Sequence, residues 1–155
     1  MRLLRVYADT SVYGGVYDPE FAEPSKAFFE LVRQGVYRLV ISTSVRDEIE
    51  KAPEPVRLLL TELAPRSERI EISLDAVELQ EAYLRARIVS EQSRADALHV
   101  ALASVSGCSL IVIWNFKHIV NFRRIPLYNG VNLSNGYGMV TICSPLEVIE
   151  DEEAF

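Results

Sequence analysis

Three carboxylates and one amide stand where chemistry could be done. Asp9 closes the stretch Tyr7-Ala8-Asp9-Thr10-Ser11, and Glu48 lies in Ser44-Val45-Arg46-Asp47-Glu48-Ile49. Asp96 lies in Ser93-Arg94-Ala95-Asp96-Ala97-Leu98-His99, and Asn115 follows Trp114. Carboxylates brought within about 4–6 Å repel one another, and one of them protonates unless a cation sits among them. An oxygen-only donor set favours Mg²⁺ or Mn²⁺ over zinc. Each position also has a plainer reading. Asp9 suits an Asx turn or helix cap. Glu48 suits the dipole of a helix start, with Ser44 and Asp47 at capping-box spacing, and Asp96 follows Ser93 at the same spacing. Asn115 suits a turn.

What raises these residues above their plainer readings is the set of elements that must carry them. Residues 3–8 form an apolar run fit for a strand buried on both faces. After a Gly14-Gly15 loop, Ala27, Phe28, Leu31 and Val32 recur at helical spacing, with Pro24 suited to the first turn and Gly35 to the C-terminal cap. Residues 37–41 predict a second strand, and the hydroxyls of 42–44 cap a helix through Val45, Ile49 and Ala52. A short helix over 56–63, a strand over 70–72 and a long amphipathic helix from Asp75 through Val89 follow. Ser93 then caps a helix running to about 106. Strands over 110–114 and 139–142 flank a loop rich in Asn and Gly, and Pro145 opens a closing helical turn.

Alternation of strand and helix implies a mostly parallel sheet of about five strands in a three-layer α/β/α sandwich. Ligands of such sheets bind outside the carboxyl ends of the strands, near the place where strand order reverses. That edge is where Asp9, the helix starts holding Glu48 and Asp96, and Asn115 would gather.

The 155 residues are 49% hydrophobic and 25% charged, which excludes disorder and predicts one domain over 1–150 with an acidic tail over 151–155. Cys108 and Cys143 show no CxxC spacing, and the default compartment is a reducing cytoplasm. The window 97–116 carries no Asp, Glu, Lys or Arg. Its cluster Ser104, Ser106, Gly107, Ser109 predicts helix, turn and strand rather than a membrane span. The net charge of −6 argues against indiscriminate nucleic-acid binding. Residues 97–146 nevertheless hold Lys117, Arg123, Arg124 and no acid.

In these motifs the chain resembles the PIN-domain family, above all the VapC type of toxin nuclease. The family's pattern is an Asp closing the first strand, a Glu in the helix after the second, an Asp opening a helix, and an Asp or Asn past the fourth strand. Asp9, Glu48, Asp96 and Asn115 match those positions in order over nearly the whole chain. The resemblance implies a metal-dependent endoribonuclease acting on single-stranded RNA, the toxin of a pair with a small antitoxin, and a homodimer. It implies Asp9 and Asp96 as holders of Mg²⁺ or Mn²⁺, Glu48 as the group that orients water or a second ion, and Asn115 as a fourth catalytic position. Asn where many members have Asp leaves three central charges instead of four, and Ile113 stands where a Ser or Thr is often found.

Thr10 and Ser11 then become candidates to hydrogen-bond the scissile phosphate, and Arg46, Arg94, Lys117, Arg123 and Arg124 to hold its backbone. Ordinary surface placement is the plainer reading of those bases. His99 reads as a hydrogen-bonded helix histidine in preference to a general base. Trp114 and Phe116 read as core in preference to base-stacking platforms. Two other readings compete: a catalytically weak or inactive RNA- or protein-binding module, and a phosphohydrolase of the haloacid-dehalogenase type. The latter needs a second Asp where Ser11 stands.

Overall fold

The structure, a computed structural model, describes residues 3–114 and 123–153. Its five strands are β1 (Leu4–Ala8), β2 (Tyr37–Ser42), β3 (Glu68–Ile70), β4 (Leu110–Val112) and β5 (Thr141–Cys143). They pair in the order β3-β2-β1-β4-β5, every pair parallel. Val6 lies opposite Leu39 on one side and Leu110 on the other. Val6, Tyr7, Ala8, Leu39, Val40, Ile111 and Val112 are fully buried, as a parallel sheet covered on both faces requires.

The helices are α1 (Thr10–Gly15), α2 (Ala22–Arg33), α3 (Thr43–Glu50), α4 (Glu54–Leu63), α5 (Leu74–Arg85), α6 (Arg94–Val105), α7 (Ile125–Ser134) and α8 (Pro145–Glu153). α5 packs on α6 and α7, while α2 packs on α8 and α1, and α4 on α1 and α3. The result is the expected three-layer α/β/α sandwich. The chain leaves β1 for β2 and β3 on one side and returns to β4 and β5 on the other, so strand order reverses between β1 and β4. Asp9 sits at that reversal, its N–H donating to the Val112 carbonyl at 2.9 Å.

Several boundaries differ from the sequence pattern. The Gly14-Gly15 pair ends a short helix instead of forming a loop. A Cβ on Gly15 would lie 2.6 Å from Ser25 Oγ and 2.9 Å from Trp114 Nε1, so close packing explains the missing side chain. β3 begins and ends two residues early, where Val40, Ile41 and Ser42 pair with Glu68, Arg69 and Ile70. α5 stops at Arg85 because Arg87 adopts φ 58° and turns the chain. Ile88 and Val89 continue its apolar pattern by burying themselves beyond the helix. The stretch read as an Asn/Gly loop contains α7.

The predicted sequence of helix, turn and strand in the uncharged window holds: α6 ends at Val105, Gly107 takes φ +75°, and β4 follows. Among the described residues no helix is long and apolar enough to cross a membrane. Cys108 and Cys143 are both buried.

Candidate active site

β1 delivers Asp9 directly into α1 with no intervening loop. Asp9 is the N-cap residue, and its Oδ2 accepts from the Ser11 N–H at 3.1 Å. The capping reading is therefore correct for one oxygen. The other, Oδ1, lies 3.3 Å from His99 Nε2. The carboxylate is only 6% exposed.

β2 runs into α3 in the same way. Ser42 Oγ accepts from the Val45 N–H at 3.1 Å and caps the helix, which places Ser44 inside the first turn and removes the Ser44–Asp47 capping box. Glu48 then falls in the second turn, and its Oε1 lies 2.6 Å from His99 Nε2. Asp9 and Glu48, 39 positions apart in the chain, thus meet at one nitrogen.

That nitrogen belongs to α6, which also carries Asp96 in its first turn, three residues before His99 and hence on the same helical face. Ser93 occupies the N-cap position of α6 without a side-chain cap bond. It closes a 3₁₀ turn over Glu91–Ser93, and its backbone (φ −103°, ψ 20°) lacks the extended geometry of a side-chain cap. Burial alone would lower the pKa of His99, which is 1% exposed. The hydrogen bond to Glu48 and the charges of Asp9, Glu48 and Asp96 outweigh it and raise that pKa. Burial would raise the Glu48 pKa, but the His99 hydrogen bond and charge, with smaller help from Thr10 and Ser44, hold it below the ordinary carboxylate value.

Thr10 Oγ1 is buried and completes no hydrogen bond among the described residues, although it is near enough to Glu48 to act on its pKa. Ser11 Oγ accepts from the Trp114 N–H at 3.0 Å. Arg46 pairs with Glu71 at 3.4 Å and lines a cavity of about 410 Å³ with Ile49 and Leu60, a cavity to which none of Asp9, Glu48 and Asp96 contributes. Arg94 is held by Glu81 and by Glu91, the latter at 2.9 Å. Trp114 packs on Phe21 with ring centroids 4.5 Å apart and donates to Ser25 Oγ at 2.8 Å, a core role. Asn115, Phe116 and Lys117 lie outside the described residues. Among the described residues no three His, Cys, Asp or Glu side chains are placed to enclose a metal ion.

The group that sequence reasoning undervalued is Tyr7. Its hydroxyl lies 2.7 Å from Ser42 Oγ and 2.6 Å from His99 Nδ1, and burial holds its pKa well above the ordinary value. Within an apolar strand it looks like one more core residue. The signal was its position in β1 two residues before Asp9, whose backbone is still extended (φ −67°, ψ 158°), so that both side chains turn to one side.

No family model matches the sequence, and no curated protein does. Solved structures do match. A chain of VapBC2 from Rickettsia felis, in a crystal structure bound to a DNA fragment from their promoter, is 18% identical. The match covers 91% of this chain and 98% of that one, with a TM-score of 0.59. A chain of FitAcB from Neisseria gonorrhoeae is 13% identical over the same shares, with a TM-score of 0.54. At these identities the likeness is one of fold.

Proposed function

We propose that the protein is a metal-dependent endoribonuclease that hydrolyses single-stranded RNA, the toxin of a toxin–antitoxin pair. One observation carries the reading. Asp9 from β1 and Glu48 from α3 approach a single imidazole of α6, one turn beyond Asp96, at the sheet edge where strand order reverses. The donor chemistry fits a hard cation. Mg²⁺ is ordinarily bound through one or two protein carboxylates with water completing its shell, so a preformed cage of three acids is not required.

When bound, Mg²⁺ or Mn²⁺ supplies polarisation of a phosphoryl oxygen and easier deprotonation of an attacking water. Asp9, Asp96 and Glu48 would hold the ion, with Glu48 also placed to orient the attacking water. Thr10 Oγ1, buried beside Glu48 with no hydrogen-bond partner among the described residues, is the best-placed hydroxyl to contact the phosphate. Ser11 is a second hydroxyl from the same turn. Arg94 would have to leave Glu81 and Glu91, and Arg46 leave Glu71, to reach a phosphate. The motif resemblance adds Asn115 and Lys117 to the proposed site, and with the shared fold it supports the toxin role, an antitoxin and a homodimer.

The test is incubation of the purified chain with single-stranded RNA and Mn²⁺ or Mg²⁺, with and without chelator. Cleavage that stops on chelation supports the reading, and intact RNA under every condition overturns it. For the toxin role, expression arrests growth and a small co-produced partner restores it. A binding module without catalysis is the second reading, favoured by the engagement of Glu48 with His99. Millimolar Mn²⁺ that leaves the Tm unchanged selects that alternative, since an ion binding only the folded state must raise it.

A further inference from the structure

Three elements meet through one buried chain of hydroxyl, phenol and imidazole. Ser42 Oγ, at the N-cap of α3, accepts from the Val45 N–H at 3.1 Å and lies 2.7 Å from Tyr7 Oη on β1. Tyr7 Oη lies 2.6 Å from His99 Nδ1 on α6, and His99 Nε2 lies 2.6 Å from Glu48 Oε1, back on α3. The path closes on the helix where it began. Ser42, Tyr7 and His99 are buried, with Tyr7 at 0% and His99 at 1% exposure.

An ionised carboxylate accepts and cannot donate, so Nε2 carries the hydrogen between His99 and Glu48. With neutral His99, Nδ1 accepts from Tyr7, whose oxygen accepts from Ser42. With charged His99, Nδ1 donates to Tyr7, which donates to Ser42. In both protonation states Nε2–H still donates to Glu48. The orientation of that carboxylate is therefore fixed by geometry and does not depend on the charge of the imidazole.

We propose that His99 is a positioning residue of the acid site: braced by Tyr7 and Ser42, it orients the Glu48 carboxylate beside Asp9 for a divalent cation. The inference rests on the metal-dependent reading above. Outer groups that hold a metal ligand in place characteristically matter to affinity by about 10–100-fold when removed. His99 reaches Glu48 from α6, an element separate from the α3 helix that carries the carboxylate. The ring of Tyr7 packs against it with centroids 5.7 Å apart, which limits its rotation.

The experiment is Mn²⁺ titration of the purified full chain by calorimetry, alongside metal-free thermal unfolding, for wild type, His99→Leu, His99→Gln and Tyr7→Phe. His99→Gln offers an amide hydrogen near the position of Nε2, and Tyr7→Phe removes only the phenol oxygen. The Mn²⁺ Kd is expected to rise about 10–100-fold in His99→Leu. Tyr7→Phe raises it several-fold, and His99→Gln recovers most of the wild-type value. Folded Tyr7→Phe and His99→Gln that both bind as wild type, while His99→Leu loses only thermal stability, overturn the positioning role and leave the metal-dependent reading intact. A folded wild type that takes up no Mn²⁺ overturns both. Should His99→Leu fail to fold, the weakened binding of Tyr7→Phe and its contrast with His99→Gln decide the matter.

Discussion

The two ends of β1 handle charge in opposite ways. At its amino end Arg5 meets Glu68 at the start of β3 through both carboxylate oxygens, Nε at 2.9 Å and Nη2 at 2.8 Å, and donates from Nη1 to the Ser106 carbonyl at 2.5 Å. One cation answers one anion in matched geometry. At the carboxyl end, four residues on, Asp9 and Glu48 share a single imidazole, and the charge of Asp96 also falls on it. Two acids there answer to one ring, where Arg5 and Glu68 answer one to one. A matched pair of opposite charges serves the fold, whereas acids crowded by rigid elements around one titratable ring are the pattern expected of a functional site.

The sharpest way to break this comparison is to treat both ends of one strand. Asp9→Asn keeps the Ser11 cap through its side-chain oxygen and removes one negative charge from the acid end. Cleavage of single-stranded RNA is expected to fall at least about a hundredfold, equivalent to about 2.7 kcal/mol of transition-state stabilisation. Metal-free stability stays within about 0.5 kcal/mol of wild type or rises, since like charges are relieved. At the other end, Arg5→Met leaves Glu68 and the Ser106 carbonyl without their donor. Both charged groups are about one-third exposed, so the loss is discounted by solvent to about 1 kcal/mol, read from the urea midpoint. Cleavage per folded molecule is unchanged. If Arg5→Met silences cleavage while Asp9→Asn does not, the assignment of roles to the two ends is wrong.

The sequence made the acid end easier to read than the elements that brace it. The apolar run of β1 and the hydroxyls after β2 place Asp9 and Glu48 at one edge, because a strand passing straight into a capped helix leaves little freedom in between. Asp96 alone reads as a helix cap, and only the topology that brings the start of α6 to that edge singles it out. α7 was not legible. Asn129, Gly130 and Asn132 are all poor residues for a helix interior. The helix exists because Asn129 bonds the backbone of Val140 in both directions, at 2.8 and 3.1 Å, and because Asn132 bonds Tyr83, Ser104 and Gly138. Those are tertiary contacts invisible to any local window. Likewise Tyr7 reads as one more apolar-strand residue and His99 as a hydrogen-bonded helix histidine with no partner named, and only the pairing of β1 with its neighbours and the seating of α6 put their polar atoms 2.6 Å apart.

Acid sharpens the comparison at the amino end. The hydrogen bond from Arg5 holds the Glu68 pKa below its ordinary value, against a smaller opposing effect of burial, with the charges of Arg5 and Arg38 adding to it. A carboxylate whose folded pKa is depressed contributes stability above its unfolded pKa and loses it as pH falls through the folded value. Unfolding measured from pH 6 downward is therefore expected to show a steeper loss in wild type than in Arg5→Met, the two curves converging once Glu68 is protonated. Parallel curves over that range would mean that Glu68 contributes nothing through Arg5.

Arg38 supplies the finest division. Its Nε stands 3.9 Å from the same Glu68 carboxylate, and its side chain is 49% exposed. It therefore has the proximity of a partner without the matched fork that Arg5 presents. Arg38→Gln is expected to cost no more than about 0.3 kcal/mol, less in high salt, against about 1 kcal/mol for Arg5→Met. Equal losses from the two substitutions would show that Glu68 responds to nearby positive charge in general. Unequal losses, with Arg5 the larger, would tie the stability of this end to one geometrically matched pair, the arrangement that the acid end lacks.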